Sequence, residues 1–222
     1  MWRNEDYWIN KYMQLGALWI HDGNNKRPHA LLTSDNHSNG FFNSRLVIAV
    51  DTLMREVAKD LIGLFIENGG EIEKIDIVVG PQTGATKLAE FLSDEIASRR
   101  GRLCRWASPA KHEEGDVKTM VFDDPERTVQ QGDMVLLSED VATTIGSVNR
   151  TAKATIEKGG VIMPCVVMLV NRSGLTEAGG KKIVALIDKP MPIWPPADCP
   201  LCKDGSEAIR PKDNWAALNA DY

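Results

Sequence analysis

From residue 75 onward the chain alternates between short apolar runs and longer segments with helical spacing, and few folds accommodate that order. Residues 75–79 form a β-branched apolar run, residues 85–99 read as a helix and residues 102–107 as a strand. A strand over 134–137, a helix over 147–158, a long apolar strand over 161–170 and a last strand over 182–187 complete the series. Continuous apolar runs of this kind belong to strands covered on both faces. Strands separated by helix-length segments predict an α/β fold built on a doubly wound parallel sheet. Ligands in such sheets bind at the carboxyl ends of the strands. The loops after Val79, Ala107, Leu137 and Val170 are therefore where function is expected.

The flanking regions read differently. Residues 5–19 place Trp8, Tyr12, Leu15 and Trp19 on one helical face, and a polar, turn-rich stretch follows at 21–28. Over residues 45–68, Val50, Leu53, Met54, Val57, Leu61 and Leu64 have the spacing of one long amphipathic helix, which Gly69-Gly70 ends. Residues 108–115 are polar and read as a loop. Six prolines between 188 and 222 exclude a regular helix or central strand there and predict a tail laid over the domain.

With 222 residues and 43% hydrophobic composition, the chain can bury a sizeable core in one domain. A formal net charge of -5 argues against a nucleic-acid surface covering the domain, while leaving room for a local basic pocket. No helix-turn-helix or basic stretch supports nucleic-acid binding. No apolar run reaches the roughly 18 residues a bilayer requires. The first residues lack the apolar core of a signal peptide, so a cytoplasmic location is expected. The four cysteines are too few for a disulfide scaffold. Cys199-Pro-Leu-Cys202 has the spacing to supply two zinc ligands. Zinc needs four, and no second C-x-x-C or H-x3-H pair exists, so packing is the expected role of these thiols.

The most informative segment runs Val135-Leu136-Leu137-Ser138-Glu139-Asp140-Val141-Ala142-Thr143-Thr144-Ile145-Gly146-Ser147. An apolar strand delivers two adjacent carboxylates, and a hydroxyl- and glycine-containing turn then opens a helix. Amides at a helix N-terminus, with Thr and Ser hydroxyls, form an anion cradle. Paired acids would repel a phosphate, but sugar hydroxyls satisfy them. A second loop, Val78-Val79-Gly80-Pro81-Gln82-Thr83-Gly84, also leaves a strand and opens a helix. It is neither a Walker loop nor a G-x-G-x-x-G turn.

The first segment resembles the signature of the type I phosphoribosyltransferases, in which four apolar residues, two acids and two apolar residues precede Thr-Thr-Gly-x-Ser. Ile145 before Gly146 departs slightly from the usual order. The resemblance implies that Glu139, Asp140, Val141, Ala142, Thr143, Thr144, Ile145, Gly146 and Ser147 bind the ribose and 5′-phosphate of phosphoribosyl pyrophosphate. It also implies that Gly80, Pro81, Gln82, Thr83 and Gly84 hold its pyrophosphate.

Three further segments are similar to the orotate branch of that family. Residues 32–43 match its base-binding segment, with Phe41 and Phe42 on the pyrimidine. Asn171-Arg172-Ser173-Gly174 places Arg172 at a strand end, where the branch pairs an arginine with the orotate carboxylate. Residues 194–202 match the tail of some bacterial and archaeal members. One region departs: the Lys-rich mobile loop is here Arg105-Trp106-Ala107-Ser108-Pro109-Ala110-Lys111-His112-Glu113-Glu114-Gly115, with Lys111 the candidate catalytic cation and His112 and Lys118 in reserve.

The resemblance thus implies a single domain in which an α/β core over 45–187 carries a hood built from residues 1–44 and the tail at 188–222. The activity implied is transfer of the phosphoribosyl group to orotate, giving orotidine 5′-monophosphate and pyrophosphate in pyrimidine synthesis. Mg2+ held mainly by substrate and water, with no protein metal ligands, and a homodimer are implied as well. The alternatives are a transferase for a purine or another base, and a non-catalytic regulator that binds the sugar pyrophosphate.

Overall fold

The computed structural model describes residues 2–115 and 117–222. In chain order, α1 (Glu5–Gln14) leads to β1 (Leu18–Ile20), β2 (His29–Leu31), β3 (His37–Ser38) and β4 (Gly40–Phe42). Then come α2 (Ser44–Ile48), α3 (Asp51–Glu67), β5 (Ile77–Val79), α4 (Thr86–Arg100), β6 (Arg105–Ala107), β7 (Ala110–Glu114) and β8 (Val117–Val121). The second half runs β9 (Met134–Ala142), α5 (Gly146–Glu157), β10 (Val161–Asn171), β11 (Glu177–Ala178) and β12 (Lys181–Asp188). The tail adds α6 (Pro200–Lys203), β13 (Ala208–Ile209) and α7 (Trp215–Leu218).

The central sheet has the order β11-β12-β10-β9-β5-β6, and every pairing is parallel except the short edge strand β11. Along β10 the side chains alternate between two cores. Val167 and Leu169 pack with α3 and α4, while Val166 and Met168 pack with α5 and with Met120 and Phe122. Burial on both faces is why the strand reads as one unbroken apolar run.

Four expectations are corrected. The first helix ends at Gln14, because Gly16 turns the chain at φ 59 and sends Trp19 into β1. That helix also joins the core and not the hood: Trp8 and Tyr12 are buried, and Trp8 Nε1 donates to the buried Asp60 of α3 at 3.1 Å. The long helix over 45–68 is two, since Val50 is extended (φ -105, ψ 103) and separates α2 from α3. Residues 108–115 are not simply a loop, because β7 pairs antiparallel with β8 from Ala110 opposite Val121 to Glu114 opposite Val117. Its strand face is exposed, so the pattern carried no apolar signal.

The hood joins the two ends of the chain. β2 pairs antiparallel with β3 and parallel with β13 of the tail, and β1 pairs with β4. Trp19 Nε1 donates to the Leu218 carbonyl at 2.8 Å, and Arg210 Nη1 to the Leu32 carbonyl at 2.6 Å. Among the described residues no helix is long and apolar enough to cross a membrane.

Candidate active site

A cleft of about 480 Å³ opens where the carboxyl ends of the central strands meet the hood. Its lining includes every residue assigned from the sequence to phosphoribosyl pyrophosphate, orotate or catalysis except Gly80, while the reserve His112 is not part of it. Gly80 lies behind the wall: a Cβ there would come within 2.5 Å of the Ala85 carbonyl and 2.7 Å of Ser138 Oγ. Its role is close packing between loop and strand.

The loop after β5 is fastened to the end of β6. Ser108 Oγ donates to the Gly80 carbonyl at 2.7 Å, and Gln82 Nε2 donates to the Ser108 carbonyl at 3.0 Å. The amide of Gln82 is used by Pro109 and that of Ala85 by Pro81. Those of Thr83 and Gly84 meet no acceptor among the described residues, so this loop offers free N–H donors to the cleft.

Glu139 and Asp140 lie near the carboxyl end of β9. Glu139 is buried, and burial, with the neighbouring Asp140 charge adding to it, pushes its carboxyl well above the ordinary glutamate range. The chain then passes Thr143 and Thr144 to Ile145, which is held in the left-handed region at φ 49, ψ 5 as the residue before α5. A β-branched side chain costs on the order of 1–3 kcal/mol there. No side chain caps α5, and the amides of residues 144–148 meet no acceptor among the described residues. That is an anion cradle of the kind helix N-termini supply.

Arg172 closes the opposite wall. It is 1% exposed, and burial lowers its pKa to about 10, so it stays charged at neutral pH. Nη1 donates to the Gly40 carbonyl at 2.9 Å and Nη2 to Ser38 Oγ at 2.6 Å, which leaves Nε buried without a partner. An unpaired buried donor of this type is what an anionic ligand group would satisfy. Phe42 packs edge-on against Tyr12 in the core, and Phe41 leans on Trp215, so both rings reach the cleft from a packed base.

Lys111, on β7, also lines the cleft, but its ammonium pairs with Glu113. Lys118 faces the same carboxylate at 3.9 Å. These two lysines draw Glu113 below the ordinary carboxylate range, the Lys111 hydrogen bond most strongly.

Sequence reasoning missed Arg45, Arg150 and Lys212, which line the cleft too. Arg150 was within reach of it: four residues after Gly146 puts it one helical turn above the cradle, where its Nη2 donates to Ser147 Oγ at 3.4 Å. With Lys111, Lys118 and Arg172, six cations and two carboxylates face the cleft of a chain whose net charge is -5. The arrangement suits a ligand with several anionic groups and sugar hydroxyls between them.

No family model matches the chain. Curated relatives do. It is 30% identical over 198 residues to the orotate phosphoribosyltransferase of Pelotomaculum thermopropionicum, covering 89% of this chain and 95% of that one. It is 31% identical over 197 residues to the enzyme of the same name from Thermus thermophilus, with the same coverage. Among solved structures, it superposes on orotate phosphoribosyltransferase from Aeropyrum pernix with a TM-score of 0.55 at 19% identity, covering 81% of this chain and 93% of that one. The Mycobacterium tuberculosis orotate phosphoribosyltransferase gives 0.57 at 16% identity, covering 81% and 95%. These neighbours carry the type I phosphoribosyltransferase fold, with its parallel sheet and strand-end cleft, and this chain has it as well. On fold, cleft and relatives together, the chain belongs to the orotate phosphoribosyltransferase family.

Proposed function

We propose that this protein transfers the phosphoribosyl group of phosphoribosyl pyrophosphate to orotate, releasing pyrophosphate and forming orotidine 5′-monophosphate. The observation that carries the reading is one cleft in which an anion cradle and two carboxylates face a buried arginine whose Nε has no partner. A ring nitrogen of orotate attacks the anomeric carbon as pyrophosphate departs. Positive charge builds on the ribose and negative charge on the leaving group, so the protein works by positioning and electrostatics.

Each wall has a task in this reading. Thr143, Thr144, Gly146 and Ser147, with the free amides at the start of α5 and Arg150 above them, hold the 5′-phosphate. Glu139 and Asp140 accept from the ribose hydroxyls and sit beside the developing cation. Thr83 and Gly84 offer their amides to pyrophosphate, and Lys111 adds charge. Arg172 offers its guanidinium to the orotate carboxylate while Phe41 and Phe42 flank the ring. The acid pair is a hard oxygen donor set, which fits Mg2+ carried in with the substrate and held by Glu139 and Asp140 through water. Bound there, the ion would neutralise charge on the leaving pyrophosphate. The same reading makes the protein a homodimer. It also makes it a cytoplasmic enzyme, whose four free cysteines suit a reducing compartment.

The pairing of Lys111 with Glu113 favours one rival, a sensor that binds the sugar pyrophosphate without consuming it. Pyrophosphate release with Mg2+, measured in parallel with orotate, uracil and purine bases, separates the readings. Release with orotate alone is expected. Release with another base would reject the orotate assignment, and tight binding without release for any base would make the protein a sensor.

A further inference from the structure

Away from the cleft, four side chains converge that the transferase reading does not use. His29 lies on β2, His37 on β3, Cys199 just before α6 and Cys202 within it. Their ligand atoms all lie within 4.8 Å of one another. His29 Nε2 stands 3.0 Å from His37 Nδ1, 3.5 Å from Cys199 Sγ and 3.6 Å from Cys202 Sγ, and Cys202 Sγ is 3.2 Å from His37 Nδ1. A tetrahedral zinc with bonds of about 2.3 Å to sulfur and about 2.05 Å to nitrogen separates its ligands by about 3.3 Å (N to N) and about 3.5 Å (N to S). These four distances fall close to those separations before any metal is added.

Hydrogen bonding sets the first imidazole for the task. Ser206 Oγ donates to the Arg27 carbonyl at 2.7 Å, so at 2.9 Å it accepts from His29 Nδ1. That fixes the tautomer whose Nε2 carries a lone pair, and the lone pair faces the other three ligand atoms. A polar atom holding the outer nitrogen of a ligating histidine is the usual support of a metal site. One nitrogen lone pair cannot satisfy three neighbours, whereas a central cation can. The donor set has two sulfurs, two nitrogens and no oxygen, and three of the four residues are buried. It suits zinc in a closed, structural site and not a hard or catalytic ion.

We propose that the hood of this protein is a structural zinc site, with His29 Nε2, His37 Nδ1, Cys199 Sγ and Cys202 Sγ as the four ligands. It runs against the expectation that no protein side chain binds a metal and that the two thiols merely pack. The bond would tie β2 and β3 to a tail some 160 residues downstream, a span on which a cross-link restricts the unfolded chain strongly. Its position also matters for the cleft. Ser38, next to His37, receives the Arg172 guanidinium and donates to the Pro192 carbonyl at 2.7 Å. The metal would therefore brace the wall that holds Arg172.

The test uses the full chain, purified without chelator or a metal-affinity tag, and does not depend on transferase activity. Elemental analysis should find about one zinc per chain. Exchange for Co(II) should give the intense visible bands of a tetrahedral ion together with near-ultraviolet thiolate-to-cobalt charge transfer. Cys202→Ser, at the solvent edge where folding tolerates change, should lose most of both signals. Chelation of the wild-type chain should lower its melting temperature, and zinc should restore it. A reduced chain that carries less than about a tenth of a zinc and takes up no cobalt would overturn the proposal. So would full zinc retention in Cys202→Ser and Cys199→Ser alike, or an intact mass two hydrogens short that marks a Cys199–Cys202 disulfide.

Discussion

Gly84 lies against the Asp140 carboxyl so closely that a Cβ at position 84 would overlap both its carbon and its oxygens. The glycine is thus required by the acid and not by its own backbone angles. Gly84→Ala should swing Asp140 away from its place while leaving the packed core alone. Misplacement of a reacting group by about 1 Å can cost on the order of a hundredfold in rate. We expect kcat/KM to fall by that order with the melting temperature nearly unchanged. A large drop in melting temperature with normal turnover in the remaining folded fraction would contradict this.

Lys111 can serve departing pyrophosphate only by leaving Glu113. Glu113→Gln should therefore lower KM for phosphoribosyl pyrophosphate by roughly two- to fivefold, the scale of an exposed ion pair. Lys111→Ala should move it the other way. Both effects should shrink in high salt. Steady-state kinetics at two ionic strengths would check the pair, and equal KM values for wild type and Glu113→Gln would remove Lys111 from the site.

Burial raises the Glu139 carboxyl, so between the ordinary glutamate range and the raised value the folded chain binds a proton that the unfolded chain has released. Stability contributed at this position is present at low pH and falls as pH climbs through that window. Glu139→Gln abolishes the titration. Its melting temperature should exceed that of wild type by a margin that widens from about pH 5 upward, at about 2–4 °C per kcal/mol for a chain of this size. Parallel melting curves across pH would count against a strained carboxyl.

Arg172 serves Gly40 and Ser38 through two separate nitrogens and keeps a third donor unpaired, a geometry a single ammonium cannot reproduce. Arg172→Lys should raise KM for orotate tenfold or more while leaving affinity for phosphoribosyl pyrophosphate within about twofold. It should also cost about 1–3 kcal/mol of stability, because a buried partner goes unpaired. Titration calorimetry with each substrate would separate these effects, and an equal loss for both would point to a collapsed hood.

What the sequence made legible follows the range of each signal. The parallel sheet was readable because burial on both faces writes itself as continuous apolar runs such as residues 161–170. The cradle was readable because a strand, two acids and a hydroxyl turn are contiguous. The break at Val50 was not, since the apolar spacing runs straight across it and only the backbone departs. The β7–β8 hairpin has an exposed strand face that leaves no pattern. The pairing of His29 and His37 with Cys199 and Cys202 was hidden because no fixed spacing links two strands of a hood to a tail. Arg150 was a miss of another kind, one helical turn from a loop already recognised.

Because β13 pairs with β2, the hood is finished by residues synthesised after the whole central sheet. The central sheet is complete by Asp188, so a nascent chain can fold its phosphate cradle while the wall behind Arg172 still lacks its partner strand. Synthesis would therefore pass through a stage able to grip a sugar phosphate but not yet able to choose among bases. Selectivity in this architecture is assembled after the grip on phosphate.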